Sequence, residues 1–358
     1  MEEFRYIPKN ELFKCSVDLP GARKFFVWDG VPEGLPFREM PALDVSAAFD
    51  VSSRMERMEY PVCLECVPKK AVEIVPEEGV LTQVIFVRVS PSEVLGRVRI
   101  NCDRPGSYEV VLCSHTTGQE RFSTKETVEV NVCGGAKLDL VVMQNENSLS
   151  VHKSDFRIKA EENSSLKINI ITLHAGNVSN RLQCLLSGKK AECCLNGLYL
   201  EDGEQNIDTD IILIHNAEEC VSHQLFKGIL SGHSRSRFTG EVVVSPSAQK
   251  TEAYQANNNL LVSDDARASS DPHLVIYADD VKCSHGSTAG SVGDQELFYM
   301  RSRGISESEA RILQQQAFAA AVLEQVSKGE LRERLSCLVE RRLRGENTVC
   351  AGCGKGCC

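Results

Sequence analysis

Between about residues 79 and 290 the chain is a succession of short β-branched runs parted by small polar turns. That rhythm limits the fold more than any other feature. Val80–Val89, Val98–Asn101, Tyr108–Val111 and Val128–Val132 largely alternate apolar and polar residues, as strands with one buried face do. Leu166–Ile171, Asp210–Ile214 and Gly240–Val244 continue the series, and polar turns fall at Glu162–Ser165, Asn216–Glu219, Ser263–Ala266 and Tyr277–Asp280. The spacing is irregular, roughly 15 to 30 residues, which suits the coils of a solenoid better than a strict repeat. A coil of that kind cannot bury its inner face alone, so neighbours stack into one continuous core. An antiparallel sandwich is the competing arrangement, and periodicity separates the two only narrowly in favour of a parallel β-helix.

The two flanks read differently. Residues 1 to about 75 carry prolines at 8, 20, 32, 36, 41, 61 and 68, a density that breaks regular elements and predicts an irregular or partly helical region. Beyond residue 293 the period turns helical. Asp294 is placed to cap a first helix ending near Gly304, and Ser306 with Glu309 has the spacing of a capping box. The second helix is expected to run to about Lys328, with Phe318, Val322 and Val326 on one face and Gly329 stopping it. A third carries Leu331, Leu335, Leu338 and Val339 on one side. The expected organisation is an N-terminal region (1–78), a β-helix (79–292), a helical domain (293–345) and a Cys-rich flexible tail (346–358).

Forty Lys and Arg against fifty Asp and Glu leave a net charge of −10, which argues against a nucleic-acid partner. The longest apolar stretch, Ala317–Leu323, is far short of the roughly 20 residues a membrane helix needs, so no membrane association is expected. The opening residues lack a basic stretch followed by an apolar one, and a cytoplasmic protein is expected. In a reducing compartment most of the sixteen cysteines should be buried thiols, Cys193 and Cys194 among them.

Chemistry-bearing motifs are few. Gly352–Lys355 imitates a nucleotide-binding loop only superficially, because Gly356 stands where a Ser or Thr must hold magnesium; no nucleotide is expected on this chain. His174 and His215 are single histidines on strands, read as ordinary core or surface residues. Cys63 and Cys66 form a CxxC without a second pair and are read as thiols rather than zinc ligands. The four thiols of the tail, Cys350, Cys353, Cys357 and Cys358, sit among glycines and offer a speculative site for a soft metal. Asp279–Asp280 is the one adjacent carboxylate pair that tempts a carbohydrate-enzyme reading, but neighbouring strand residues face opposite ways. Cys283 and His285, two apart on a strand-like run, put a thiolate and an imidazole on one face, where they suit iron or zinc. Two ligands cannot close a site, so others would have to come from elsewhere. A buried thiol beside a hydrogen-bonded histidine is the plainer alternative.

Residues 163–305 resemble the SufB/SufD family of SUF iron–sulfur cluster assembly scaffolds. The resemblance rests on Leu195–Tyr199, His223–Gly228, Ala248–Asn257, Ile276–Gly286 and Leu297–Ile305, in one order along the chain. It implies a right-handed parallel β-helix with a C-terminal helical domain. It also implies a non-catalytic scaffold subunit rather than an enzyme, paired through the β-helix with SufB and bound through the helical domain to the ATPase SufC. A transient cluster would form where the two scaffolds meet, shared between them, with His285 and Cys283 as this chain's contribution. The ATPase would dock around Leu297, Phe298, Tyr299, Arg301, Arg303 and Gly304. The B-type scaffold carries a glutamate at the position of His285 and a sulfur-accepting cysteine at that of Leu260, so this chain resembles the D-type partner. Ser287 and Ala289 depart from the family's usual Ala and Val. Homodimerisation in isolation fits a paired scaffold. Metal storage or delivery through the tail, and a β-helix carbohydrate-active enzyme, are the alternative functions.

Overall fold

The computed structural model describes residues 15, 17, 19–45, 68–346 and 348. Among the described residues nineteen strands, β1 (Arg23–Trp28) to β19 (Val281–Ser291), precede three helices, α1 (Asp294–Ser302), α2 (Glu307–Leu323) and α3 (Gly329–Leu343). From β4 (Lys70–Ile74) onward the strands alternate between two sheets. The odd-numbered sheet, named for its strands from β5 on, stacks β19, β17 (Thr251–Leu261), β15 (Val221–Leu230), β13 (Glu192–Glu201), β11 (Ser165–His174), β9 (Ala136–Asn145), β7 (Gly106–Thr116), β5 (Leu81–Arg88), β1 and β2 (Val31–Glu33). The even-numbered sheet stacks β18 (Arg267–Ile276), β16 (Arg235–Val244), β14 (Asn206–His215), β12 (Asn177–Leu186), β10 (Val151–Ala160), β8 (Ser123–Val132), β6 (Glu93–Cys102), β4 and, out of the alternation, β3 (Phe37–Glu39). Apart from β1–β2 and β3–β4, every ladder is parallel. This excludes the antiparallel sandwich and gives a parallel β-solenoid.

Each coil takes between 26 residues (Val151 beside Asn177) and 32 (Arg235 beside Arg267). Two strands of about ten residues joined by tight corners fill that length, which is why the strand signals recur at half the coil. The corners are themselves stacked. Asn163, Lys190, Glu219 and Lys250 occupy equivalent places in successive coils, all left-handed with φ of 55° to 59°. Each donates its N–H to the next coil's corner, Asn163 to the Lys189 carbonyl and Lys190 to that of Glu218. These bonds offset the strain of a left-handed non-glycine residue, about 1 kcal/mol each.

The inner face of the solenoid is a file of aliphatic side chains from both sheets, Val98, Val128, Phe156, Leu182 and Ile211 on one side and Val110, Leu140, Ile168 and Leu195 on the other. The stacking takes in segments before residue 79: β1 runs parallel to β5 (Leu81–Arg88), with Phe26 beside Ile85. A buried charge cluster ties residues 40–41 and 68–69 to the solenoid. Arg97 is paired with Glu129 at 2.9 Å and also donates to the carbonyls of Met40, Pro41, Pro68 and Lys69.

The helices pack on the outer face of the odd-numbered sheet. Val322 and Val326 join Leu331, Leu335, Leu338 and Val339 against Ile171, Leu198, Leu200 and Ile229. Arg342 fastens the third helix, donating to the Leu173 carbonyl and pairing with Asp202 at 2.8 Å. Helix boundaries differ in detail from the sequence expectation. Gly293, not Asp294, is the N-cap of α1, and no side chain caps it. Ser306 does cap α2, its Oγ accepting from the Glu309 N–H at 3.2 Å, but the helix stops at Leu323 and Gly329 begins the third helix rather than ending the second. The break at residues 324–328 lets α3 fold back so that both apolar stripes reach the sheet.

Candidate functional site

The solenoid ends in two open edges. β19 pairs only with β17 (Thr251–Leu261), and β18 (Arg267–Ile276) only with β16 (Arg235–Val244) among the described residues. Nearly all of β19 is exposed, and β18 is at best half-buried. Two such strands, about ten residues each, offer unpaired N–H and C=O groups that can template another chain's strand. Ile276 and Tyr277, at the end of β18, are 40% and 50% exposed.

Cys283 and His285 lie on β19, beside Ala253 and Gln255 of β17. Ala253 and Gln255 are buried alternate residues, so Cys283 and His285 occupy the corresponding inward-facing registers of the last coil, with no further coil among the described residues to cover them. The same-face reading of the pair therefore agrees with the register. Cys283 is half-buried against Val242, Val244 and Ala253. Burial pushes its thiol pKa up, only partly opposed by the Ala253 backbone N–H. A group in this state is a thiol at neutral pH, and a soft metal ion would have to displace its proton.

Below His285 the interior changes character. The stacked column reads Leu140, Ile168, Leu195, Gln224, Gln255, His285, aliphatic in the early coils and polar in the last three. Gln255 Nε2 donates to Gln224 Oε1 at 3.0 Å, while Gln255 Oε1 is buried without a partner. In the neighbouring columns Tyr199 donates to Asn259 Oδ1 at 2.6 Å, and Asn259 Nδ2 donates to Asn257 Oδ1 at 2.8 Å. Glycine makes room for this layer: a Cβ on Gly228 would run into the Tyr199 ring and Asn259. Sequence reasoning passed over these residues. The alternation Gln255, Asn257, Asn259 has the period of one strand face, and three polar residues on an inward face were the available signal.

The remaining expected residues scatter. Leu297 is buried against Val292 and Ala310, so it supports α1 from beneath. Phe298 and Tyr299 are exposed (74% and 60%), Arg303 lies over the Tyr299 ring at 5.3 Å, and Arg301 pairs with Glu307 at 3.3 Å. Gly304 has φ of 88° just past the helix end. Beside them Tyr299, Met300, Leu313 and Ala317 line a groove of about 490 Å³ between α1 and α2. Asp279 and Asp280 sit in an exposed bend, as the polar turn at Tyr277–Asp280 predicts, so the pair is not on a strand at all. His215 is a core residue, its Nε2 2.9 Å from Ser222 Oγ, and His174 Nδ1 is 2.7 Å from the Glu146 carbonyl. Cys193 is buried and Cys194, on the opposite face, half-buried. Cys63, Cys66, Cys350, Cys353, Cys357 and Cys358 lie outside the described residues.

Comparison with known proteins decides the family. The model of the SufBD core domain, described as SUF system FeS cluster assembly, matches residues 87–318. The chain belongs to the SufBD family. It is 31% identical over 273 residues to the iron–sulfur cluster assembly protein SufD of Escherichia coli, covering 75% of this chain and 64% of that protein. SufBD family proteins of Mycobacterium leprae and of Synechocystis are each 30% identical, over 70% of this chain and 65% and 54% of theirs. The chain thus spans just under two thirds of the E. coli and M. leprae relatives and about half of the Synechocystis one. The SufBD core match covers the coils from β6 onward, both open edges and most of α2. No described helix is long and apolar enough to cross a membrane.

Proposed function

We propose that this chain is a D-type scaffold subunit of SUF iron–sulfur cluster assembly. The carrying observation is a thiol and an imidazole in adjacent inward registers of an uncovered terminal coil, between two unpaired sheet edges. A half-site so placed is completed by whatever pairs with the edge. The second half comes from the B-type scaffold, SufB, whose terminal strands continue the two sheets by main-chain pairing. Iron is cargo here. His285 presents a ring nitrogen to it, and Cys283 exchanges its proton for the metal. No residue of this chain performs bond-breaking chemistry: sulfur and the energy of ATP hydrolysis arrive from partner chains. Leu260, at the place of the B-type scaffold's sulfur-accepting cysteine, leaves this subunit dependent on its partner for sulfide. The polar layer beneath His285 hydrates the floor of the site and keeps the imidazole from packing into an apolar core.

The SufC ATPase docks on the face of α1 carrying Phe298 and Tyr299, with the groove beside it. Aromatic anchors next to arginines are the composition of an interface centre. The alternative through the Cys-rich tail, metal storage or delivery, falls on cysteines outside the described residues.

Co-expression with SufB and SufC tests the partner assignments separately. The parent chain should retain both. Phe298→Asp with Tyr299→Asp should lose SufC and keep SufB, while Ile276→Lys with Tyr277→Lys should do the reverse. A folded parent that retains neither partner contradicts the scaffold reading.

A further inference from the structure

Far from the open edges, Cys15, Cys113 and His115 bring two sulfurs and an imidazole nitrogen within 4.8 Å of one another, all buried. Cys113 and His115 are two apart on β7 (Gly106–Thr116), on the outer face of the odd-numbered sheet, and Cys15 comes from the segment before β1 that crosses that face. Cys15 Sγ is 3.1 Å from His115 Nε2. Around a tetrahedral zinc ion, thiolate and imidazole donors lie about 3.5 to 3.8 Å apart, so only a small adjustment separates this cluster from a coordination site.

The surroundings favour a cation. The Val17 N–H donates to Cys15 Sγ at 3.4 Å, and Gln83 Nε2 lies 3.8 Å from Cys15 Sγ and 3.7 Å from Cys113 Sγ. The same Nε2 donates to the Val17 carbonyl at 2.6 Å, which fixes that end of the amide as the donor. Gln83 Oε1 is left buried without a partner. N–H groups are thus turned on the sulfurs at the expense of the amide's own oxygen. That is the outer shell thiolate ligands need, and more than neutral thiols call for. Val17, Leu19, Ile85, Val87, Val111 and Met143 wall the cluster with apolar surface. Two thiolates, one neutral imidazole and Zn²⁺ sum to zero charge, the combination such a dry site tolerates.

We propose that Cys15, Cys113 and His115 form a structural zinc site that clasps the N-terminal segment to the solenoid. Binding displaces the two thiol protons to solvent and involves no change of oxidation state. Water or another exogenous donor takes the fourth position. The site is independent of the cluster half-site on β19, which lies at the far end of the same sheet.

The test uses the full chain, reduced, with Cys63, Cys66, Cys350, Cys353, Cys357 and Cys358 replaced by Ser, titrated with Co²⁺ alone as a spectroscopic probe. The proposal expects one equivalent bound with the intense ligand-field bands of tetrahedral cobalt and thiolate charge transfer. Zn²⁺ should abolish both and raise the melting temperature by several degrees. Cys113→Ala and Cys15→Ala should each lose the bands and the melting shift. Cys15→Ala lies outside the solenoid's ladders and keeps the test decisive if Cys113→Ala fails to fold. Cobalt that remains octahedral, or tetrahedral bands that survive folded Cys15→Ala, would overturn the proposal.

Discussion

At the scale of single residues, burial rather than sequence neighbourhood decides what each titratable group does. His152 lies between Glu146 (2.9 Å) and Glu126 (3.0 Å). Burial alone would depress its pKa, but the two carboxylates overcome this and hold it up at about 10. Because the folded value exceeds the ordinary 6.5, this stabilisation is complete below pH 6.5 and drains away as pH climbs toward 10. His152→Ala should cost about 3 to 5 kcal/mol near neutrality by stranding two buried carboxylates, as read from urea unfolding. His215 is the opposite case. Burial pushes it down to about 3, so the fold refuses a proton that the unfolded chain accepts below pH 6.5. Stability should therefore fall as pH drops from 6.5 toward 3, and His215→Gln should flatten that limb by about one proton, measured as the slope of unfolding free energy against pH. Neither environment was legible in the sequence, where all eight histidines stand alone. Both partners of His152 come from other places in the coil stack, 26 and 6 residues away.

Among the elements, strands were easier to read than the way they stack. Each β-branched run named from the sequence falls inside a strand or, for Val80–Val89, overshoots one by a single residue at each end, because strand-forming residues act locally through packing on a pleated face. Coil length was not readable, since a corner can gain or lose residues without disturbing the ladder. The segment containing β1 read as irregular because its prolines outweighed Arg23–Trp28. Parallel pairing with β5, a contact distant in sequence, makes it a strand. Helix ends were legible where a side chain makes the cap and misread where tertiary packing does. Ser306→Ala should cost about 1 kcal/mol through the lost cap. Gly228→Ala, a change of one methyl group, should cost more, about 1 to 3 kcal/mol, because the Tyr199 ring must leave the polar layer. Thermal unfolding of the two variants gives the order.

For the whole molecule, the solenoid carries Cys283 and His285 to the last described coil, at an open edge. Stacked coils are rigid along their axis, so Cys283 and His285 are placed by the register of nine strands beneath them rather than by a loop. Their shared face could be read from two-residue spacing alone. Their lying on the last coil, with an open edge beside them, could not, because strand order along a solenoid is a property of the assembled stack. The account requires that open end to be filled by a second scaffold and a cluster to form at the junction. The most direct measurement is visible charge-transfer absorption after anaerobic iron and sulfide reconstitution of the complex with SufB and SufC. Parent and His285→Ala are compared with Cys350, Cys353, Cys357 and Cys358 replaced by Ser in both. The account predicts that His285→Ala keeps all three subunits together and loses most of the absorption. Equal absorption in the two complexes would contradict it and reduce His285 to a bystander on the edge strand.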